Sequence, residues 1–154
     1  MEKYVYALDL SLNSTGVCIF TNDGRFVKSL TIDTNNEKET RLKLKMIGTK
    51  FAELIKEYTP EMVVIEQGFT LYNISTQKMF MVQGIASYIF SEYKQIYYPA
   101  TTIKKTVGGK GNMTKKEIRD IILAKYPNIK FGSFDESDAF STGYTYFIKE
   151  AVIK

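Results

Sequence analysis

The sequence contains no histidine. That absence removes Ser-His-Asp and Cys-His triads, histidine zinc sites and histidine-based nucleases, because each needs an imidazole to move a proton or bind a metal. Carboxylates and metal ions remain as the best carriers of any catalysis. Cysteine occurs once, as Cys18 in an apolar stretch. No intrachain disulfide can form, and the residue is expected in the core as a small hydrophobe. No apolar run approaches the roughly 20 residues that span a bilayer, and the N-terminus lacks the basic-then-apolar-then-small order of a signal peptide, so a cytoplasmic protein is expected. Internal repeats, low-complexity tracts and interdomain linkers are also missing, which leaves one domain over residues 1–154. With 44% hydrophobic residues, such a domain buries roughly two-thirds of its unfolded surface.

Residues 4–20 are two apolar runs around a polar turn, with Asp9 among Val5, Ala7, Leu8 and Leu10. Aspartate packs poorly on a half-buried pleated surface, and its buried charge is costly unless paired or metal-bound. Asn13-Ser-Thr-Gly16 is turn chemistry, so the chain is expected to fold back as a hairpin with Asp9 at the centre of the first strand. Asn22-Asp-Gly-Arg25 marks a second tight turn before a third strand over residues 26–32, completing an antiparallel meander.

Between residues 37 and 58, Leu44, Ile47, Phe51, Leu54, Ile55 and Tyr58 recur at helical spacing opposite Arg41, Lys43, Lys45, Lys50 and Lys56, and Pro60 prevents continuation. Residues 62–65 form a short apolar run of the buried-strand kind, ending in Glu66. Because a helix leads to it, this strand is expected to lie parallel to the first. A polar and aromatic loop over residues 67–73 leads to a helix from about 76 to 93. Met79, Phe80, Met81, Val82, Ile85, Ala86, Ile89 and Phe90 make that helix apolar nearly all round. The pattern implies burial by the sheet on one side and by a second subunit on the other. Residues 95–98 read as a last short strand.

Residues 101–119 hold Lys104, Lys105, Lys110, Lys115, Lys116 and Arg119 against Glu117 alone, whereas the whole chain carries a net charge of +4. The basic charge is therefore concentrated here. Residues 107–112 are expected as a flexible glycine loop, with Thr114 capping a helix from Lys115 to about Lys125. Gly108-Gly-Lys-Gly111 lacks the spacing of a P-loop and its lysine is not followed by Ser or Thr, so no nucleotide cofactor is expected. The final helix starts in residues 132–139, where Ser133 and Glu136 fit a capping box. Asp135 and Asp138 stand three apart and can share a face.

Asp9, Glu66, Asp135 and Asp138 are thus four carboxylates on strands and a helix start, in a chain without histidine. Such a set suits a two-magnesium site, since hard cations prefer oxygen ligands and relieve the repulsion of converging carboxylates. The lysine segment, with Thr and Asn interspersed, fits phosphate contact, and a loop aromatic such as Phe69 or Tyr72 can stack on an unpaired base.

Four motifs, in family order over nearly the whole chain, resemble the RuvC-type Holliday-junction resolvases. They are Ala7-Leu-Asp-Leu-Ser11 with Thr15-Gly16, then Val64-Ile-Glu-Gln-Gly-Phe69, then residues 103–111 with Thr114-Lys-Lys116, and finally Asp135-Glu-Ser-Asp-Ala139. The resemblance implies an α/β ribonuclease-H-like fold, with a five-stranded mixed sheet (an antiparallel meander plus parallel strands) flanked by helices. It implies a Mg2+-dependent endonuclease, with Mn2+ substituting, that cuts branched DNA such as Holliday junctions, three-way junctions or forks. Asp9, Glu66, Asp135 and Asp138 would bind the metal, Lys104 and Lys115 would approach the scissile region, and Phe69 would act at the junction. Tyr72, Lys105, Lys110, Lys116 and Arg119 are further DNA-binding candidates. A homodimer through the helix around Met79 to Phe90 is implied as well. The extra basic residues Lys105, Lys110 and Lys116, and Asn112-Met113, depart from the family pattern and favour a broader, phage-like debranching activity in a host cytoplasm. Three other readings stay open on the residues alone: a branched-DNA-binding protein without useful catalysis, a ribonuclease H acting on RNA–DNA hybrids, and an actin-like or sugar-kinase-like ATPase.

Overall fold

Nearly continuous apolar runs in the central strands lay down a sheet with two buried faces. In the computed structural model, residues 1–68 and 74–154 are described, Ser75 by its backbone alone. Strands β1 (Tyr4–Asp9), β2 (Ser14–Thr21) and β3 (Phe26–Asp33) form the expected antiparallel meander, β4 (Pro60–Gln67) runs parallel to β1, and β5 (Lys94–Pro99) runs parallel to β4. The sheet order is β3-β2-β1-β4-β5. One face presents Tyr6, Leu8, Val17, Ile19, Val63 and Ile65 to helices α1 (Thr40–Glu57) and α2 (Ile74–Ile89). The other presents Val5, Ala7, Cys18, Phe20 and Val64 to α3 (Ala100–Gly108), α4 (Lys115–Lys125) and α5 (Phe134–Lys149). Both faces are covered, which is why the central strands read as nearly continuous apolar runs.

Several expectations need correction. Asp9 is the last residue of β1, not its centre, and Ser14, Thr15 and Gly16 belong to β2, so the connecting turn lies earlier than expected, at residues 10–13. The Thr15 hydroxyl closes that turn by donating to the Ser11 carbonyl at 2.6 Å. Pro60 opens β4 as well as ending the helix before it, a position where a strand tolerates a missing N–H. Helix α3 has no counterpart in the sequence reading. Its Thr and Val residues are weak helix formers, but Ala100, Ile103 and Val107 drive one stripe into the core. Val107 and Gly108 are therefore helical, and Gly109, at φ 88°, ends the helix in the left-handed conformation with its N–H on the Lys105 carbonyl. The complete capping box belongs to Thr114 and Glu117 of α4; at α5, Ser133 caps the Glu136 N–H while the Glu136 side chain turns elsewhere.

Helix α2 ends at Ile89 rather than near residue 93. Val82, Ala86 and the following Phe90 are fully buried, whereas Ile74, Phe80, Met81 and Tyr88 are exposed. No helix among the described residues is long and apolar enough to cross a membrane.

Candidate active site

The sheet fixes the first two carboxylates. Leu8 pairs with Ile65 in the parallel β1–β4 register, so Asp9 and Glu66 stand side by side where the two strands end. Val5, Ala7 and Val64 point into the core beneath α5, and strand alternation carries Asp9 and Glu66 to that same face. Helix α5 brings Asp138 over them. Lys115, the first residue of α4, reaches across to Asp138 with Nζ 2.9 Å from Oδ2; its own side chain is 65% exposed and that of Asp138 only 12%.

These groups perturb one another. Desolvation and the charges of Glu66 and Asp138 push Asp9 well above the ordinary aspartate value, against the opposing pull of Lys115. Glu66 is raised by desolvation and by Asp138, with Lys115, a hydrogen bond with Asp9 and Lys104 pulling it back. Asp138 is raised by desolvation despite its bond to Lys115. Burial works against the Lys115 ammonium, but the hydrogen bond to Asp138 and the nearby acidic charges prevail and its pKa is raised. Clustered, desolvated carboxylates that destabilise each other's charged form mark a functional site.

Asp135 is held differently. Ser14 Oγ donates to its Oδ2, and its backbone carbonyl lies so close to Gly16 that a Cβ there would come within 1.9 Å of the oxygen. Its charge is still felt at Asp9 and Asp138, raising both. The first turn of α5 thus sends Asp138 to the Lys115 side and ties Asp135 to β2. Sequence reasoning missed the positioning roles of Ser14 and Gly16; the available signal was a run of small residues where β2 begins beside the first carboxylate strand.

A cleft of about 230 Å³ opens here, lined by Glu66, Lys104, Lys115 and Asp138 together with the apolar Ala100, Ile103 and Ile118. The expected lysines Lys104 and Lys115 therefore meet the carboxylates. Lys105 and Lys110 are exposed and lie outside this lining. Lys116 pairs with Asp120 at 2.8 Å, and the Arg119 guanidinium lies 4.7 Å from the Phe134 ring centroid. Phe69 and Tyr72 fall outside the described residues. A hard divalent cation fits the all-oxygen donor set of Asp9, Glu66 and Asp138 and would relieve the repulsion that raises their pKa values. Among the described residues, no three acidic or sulfur groups stand close enough together to hold a metal ion as they lie, and the positive charge bonded to Asp138 is that of Lys115.

Carboxylates ending two adjacent parallel strands, faced by another on a helix, on a mixed sheet with an antiparallel meander, define the ribonuclease-H-like class of α/β protein. Within that class, residues 5–143 match the family described as "Crossover junction endodeoxyribonuclease RuvC", and the chain belongs to that family. It is 28% identical over 148 residues to the enzyme of that description from Rickettsia felis, covering 92% of this chain and 95% of the relative. The Rhizobium johnstonii enzyme is 26% identical over 141 residues, covering 88% and 83%. In fold, the chain is similar to Thermus thermophilus RuvC in complex with Holliday junction substrate, with a TM-score of 0.83, 16% identity and 99% and 98% of the two chains covered. The yeast mitochondrial Holliday junction resolvase Ydc2 superposes with a TM-score of 0.68 at 11% identity, covering 97% of this chain and 81% of that one.

Proposed function

We propose that this protein is a divalent-metal-dependent endonuclease that cleaves branched DNA, Holliday junctions first and other branches such as three-way junctions or forks second. The observation that carries the reading is the convergence of Asp9, Glu66 and Asp138, all with raised pKa values, at a cleft that Glu66 and Asp138 line with Lys104 and Lys115. Family membership and the activity of the relatives support it.

Asp9, Glu66 and Asp138, with Asp135 adjacent, would hold Mg2+ or Mn2+. The chemistry such ions supply is activation of a water and stabilisation of the leaving 3′ oxygen in a phosphodiester displacement. Lys115, bonded to Asp138 at 2.9 Å, would also offer its charge to the scissile phosphate. Lys104, which also lines the cleft, would add a second positive charge where negative charge develops. The apolar wall of Ala100, Ile103 and Ile118 limits water around these groups and strengthens their interactions. Lys105, Lys110 and Lys116 would contribute salt-dependent contacts to the phosphate backbone, and Phe69 and Tyr72 are proposed to act at the unpaired bases of the branch. Opposed strands of a junction call for two sites, and the exposed Ile74, Phe80, Met81 and Tyr88 of α2 are proposed to join two copies. The excess of lysine around α3 and α4 favours a broad branch preference of the phage-like kind.

The test is cleavage of end-labelled four-way, three-way and linear duplex DNA, with and without Mg2+, by wild type and Asp9→Asn. Paired nicks near the branch are expected from the wild type, with at least a roughly 10³-fold loss in the variant and binding retained. Binding without metal-dependent cutting would leave a DNA-structure-binding protein. Undiminished cutting by Asp9→Asn would remove Asp9 from the site.

A further inference from the structure

Glu136 takes no part in the cleft, yet it is 7% exposed, and among the described residues it forms no ion pair. A carboxylate so buried needs full hydrogen-bonding to persist. Two hydroxyls provide it, and a third takes the backbone N–H. Ser29 Oγ donates to Glu136 Oε1 at 2.6 Å and Thr31 Oγ1 to Oε2 at 2.8 Å, both from the face of β3 turned towards α5. Thr31 Oγ1 also lies 2.7 Å from Ser133 Oγ, which accepts the Glu136 N–H at 3.2 Å. Since Thr31 spends its only proton on Glu136, Ser133 is the donor to Thr31. A closed ring results, running from the Glu136 N–H through Ser133 and Thr31 back to the Glu136 carboxylate. Cys18 Sγ adds a contact to the Glu136 carbonyl at 3.3 Å.

Position makes this ring consequential. On a helix, Glu136 lies about 100° round from Asp135 and about 200° from Asp138, so it is pinned to the sheet on the side away from the cleft. Rotation or sliding of the first turn of α5 would break the ring and displace Asp138 from Asp9, Glu66 and Lys115 together. We infer that Glu136 is a positioning residue whose hydroxyl ring on β3 sets the rotation of α5, and thereby presents Asp138 and Asp135 to the metal and the scissile phosphate. The inference rests on the proposed metal-dependent nuclease.

The experiment compares Glu136→Leu, which removes both acceptors, with Glu136→Gln. Glutamine keeps the ring with its carbonyl oxygen on Thr31 while its amide donates to Ser29. Phe147→Leu, which loosens the core near the far end of α5, is the control for lost stability. Mn2+ binding is measured by calorimetry without DNA, alongside kcat and KM for a four-way junction and the midpoint of thermal unfolding. Glu136→Leu is expected to bind Mn2+ about tenfold more weakly and to lose about 30-fold in kcat with KM nearly unchanged, while Glu136→Gln stays within about threefold of wild type. Phe147→Leu is expected to lose thermal stability but keep Mn2+ affinity and kcat. Wild-type Mn2+ affinity in Glu136→Leu, or an equal loss in Phe147→Leu, would overturn the positioning role. If Glu136→Leu does not fold, Thr31→Val decides the matter: about threefold weaker Mn2+ binding supports the ring and unchanged affinity overturns it. Absence of Mn2+ binding by the wild type would instead overturn the metal site itself.

Discussion

On one side of the first turns of α5, Glu136 meets three hydroxyls within hydrogen-bonding reach and no like charge is needed to explain its place. On the other side, Asp138 meets Asp9 and Glu66, two desolvated carboxylates whose charges oppose each other and its own. The same residue class on one helix is thus treated in opposite ways. The hydroxyl side matches the rule that buried polar groups are satisfied, and no buried side-chain N or O among the described residues lacks a partner. The acidic side is satisfied in hydrogen bonds yet electrostatically strained, with Lys115 offsetting only part of the repulsion. Strain of this kind persists where a ligand relieves it.

The sharpest way to break the contrast is to neutralise the acidic side. Glu66→Gln is expected to lose cleavage by at least about 10²-fold while gaining about 1 kcal/mol in metal-free stability, because a desolvated like charge is removed. A stability loss in this variant would mean that Glu66 is a structural partner like Glu136. The gain carries a pH signature. The folded pKa of Glu66 lies above its ordinary 4.5, and those of Asp9 and Asp138 above 3.8. Between the ordinary and folded values the native state keeps protons that the unfolded chain has released. Stability from these groups is therefore present at low pH and falls as pH rises through the folded values. Asp23, Asp33 and Glu117 act in the other sense, since their lowered pKa values remove stability as pH falls. The difference in unfolding midpoint between Glu66→Gln and wild type isolates the site: it should grow from near zero below about pH 4 towards neutrality and shrink when Mg2+ is added.

A smaller effect is expected from the junction between the two sides. In Gly16→Ala the new Cβ meets backbone, the Asp135 carbonyl carbon at 2.3 Å and its oxygen at 1.9 Å, so no side chain can swing away. The helix start must lift from β2, costing about 1–3 kcal/mol by overpacking. Cleavage should fall about tenfold as Asp135 leaves Ser14. Thermal melts and junction cleavage read both, and wild-type behaviour in both would show that α5 is not docked through this contact.

Much of this was legible in the sequence, and the physical reasons differ from element to element. Apolar runs bounded by turn residues located the strands, with alternation marking the third, and Asp9 announced itself because nothing in an apolar strand explains a carboxylate. Glu66 followed from the end of β4 by the same logic. Helix α3 escaped because tertiary burial of Ala100, Ile103 and Val107 overrides the weak propensity of a Thr-rich segment. The role of Glu136 escaped because spacing alone assigned it to a local capping box, whereas its partners Ser29 and Thr31 lie more than 100 residues away in sequence. Local pattern finds what a residue is able to do nearby; only the fold shows which distant hydroxyl competes for it.

The smallest expected effect lies outside both sides of α5. Lys116 neighbours Lys115 in sequence but pairs with Asp120 one turn along α4, with both side chains largely exposed at 78% and 58%. Such a pair contributes little to folding, so Lys116→Ala should change stability by less than about 0.5 kcal/mol. If Lys116 contacts a phosphate, the same change should weaken junction binding at low salt and reduce the slope of log affinity against log salt by about one, with kcat unchanged. Lys115→Ala, by contrast, should lower kcat, because its partner is Asp138 of the cleft. Equal kcat losses in the two lysine variants would erase the distinction between a lysine of the cleft and a lysine of the exposed surface.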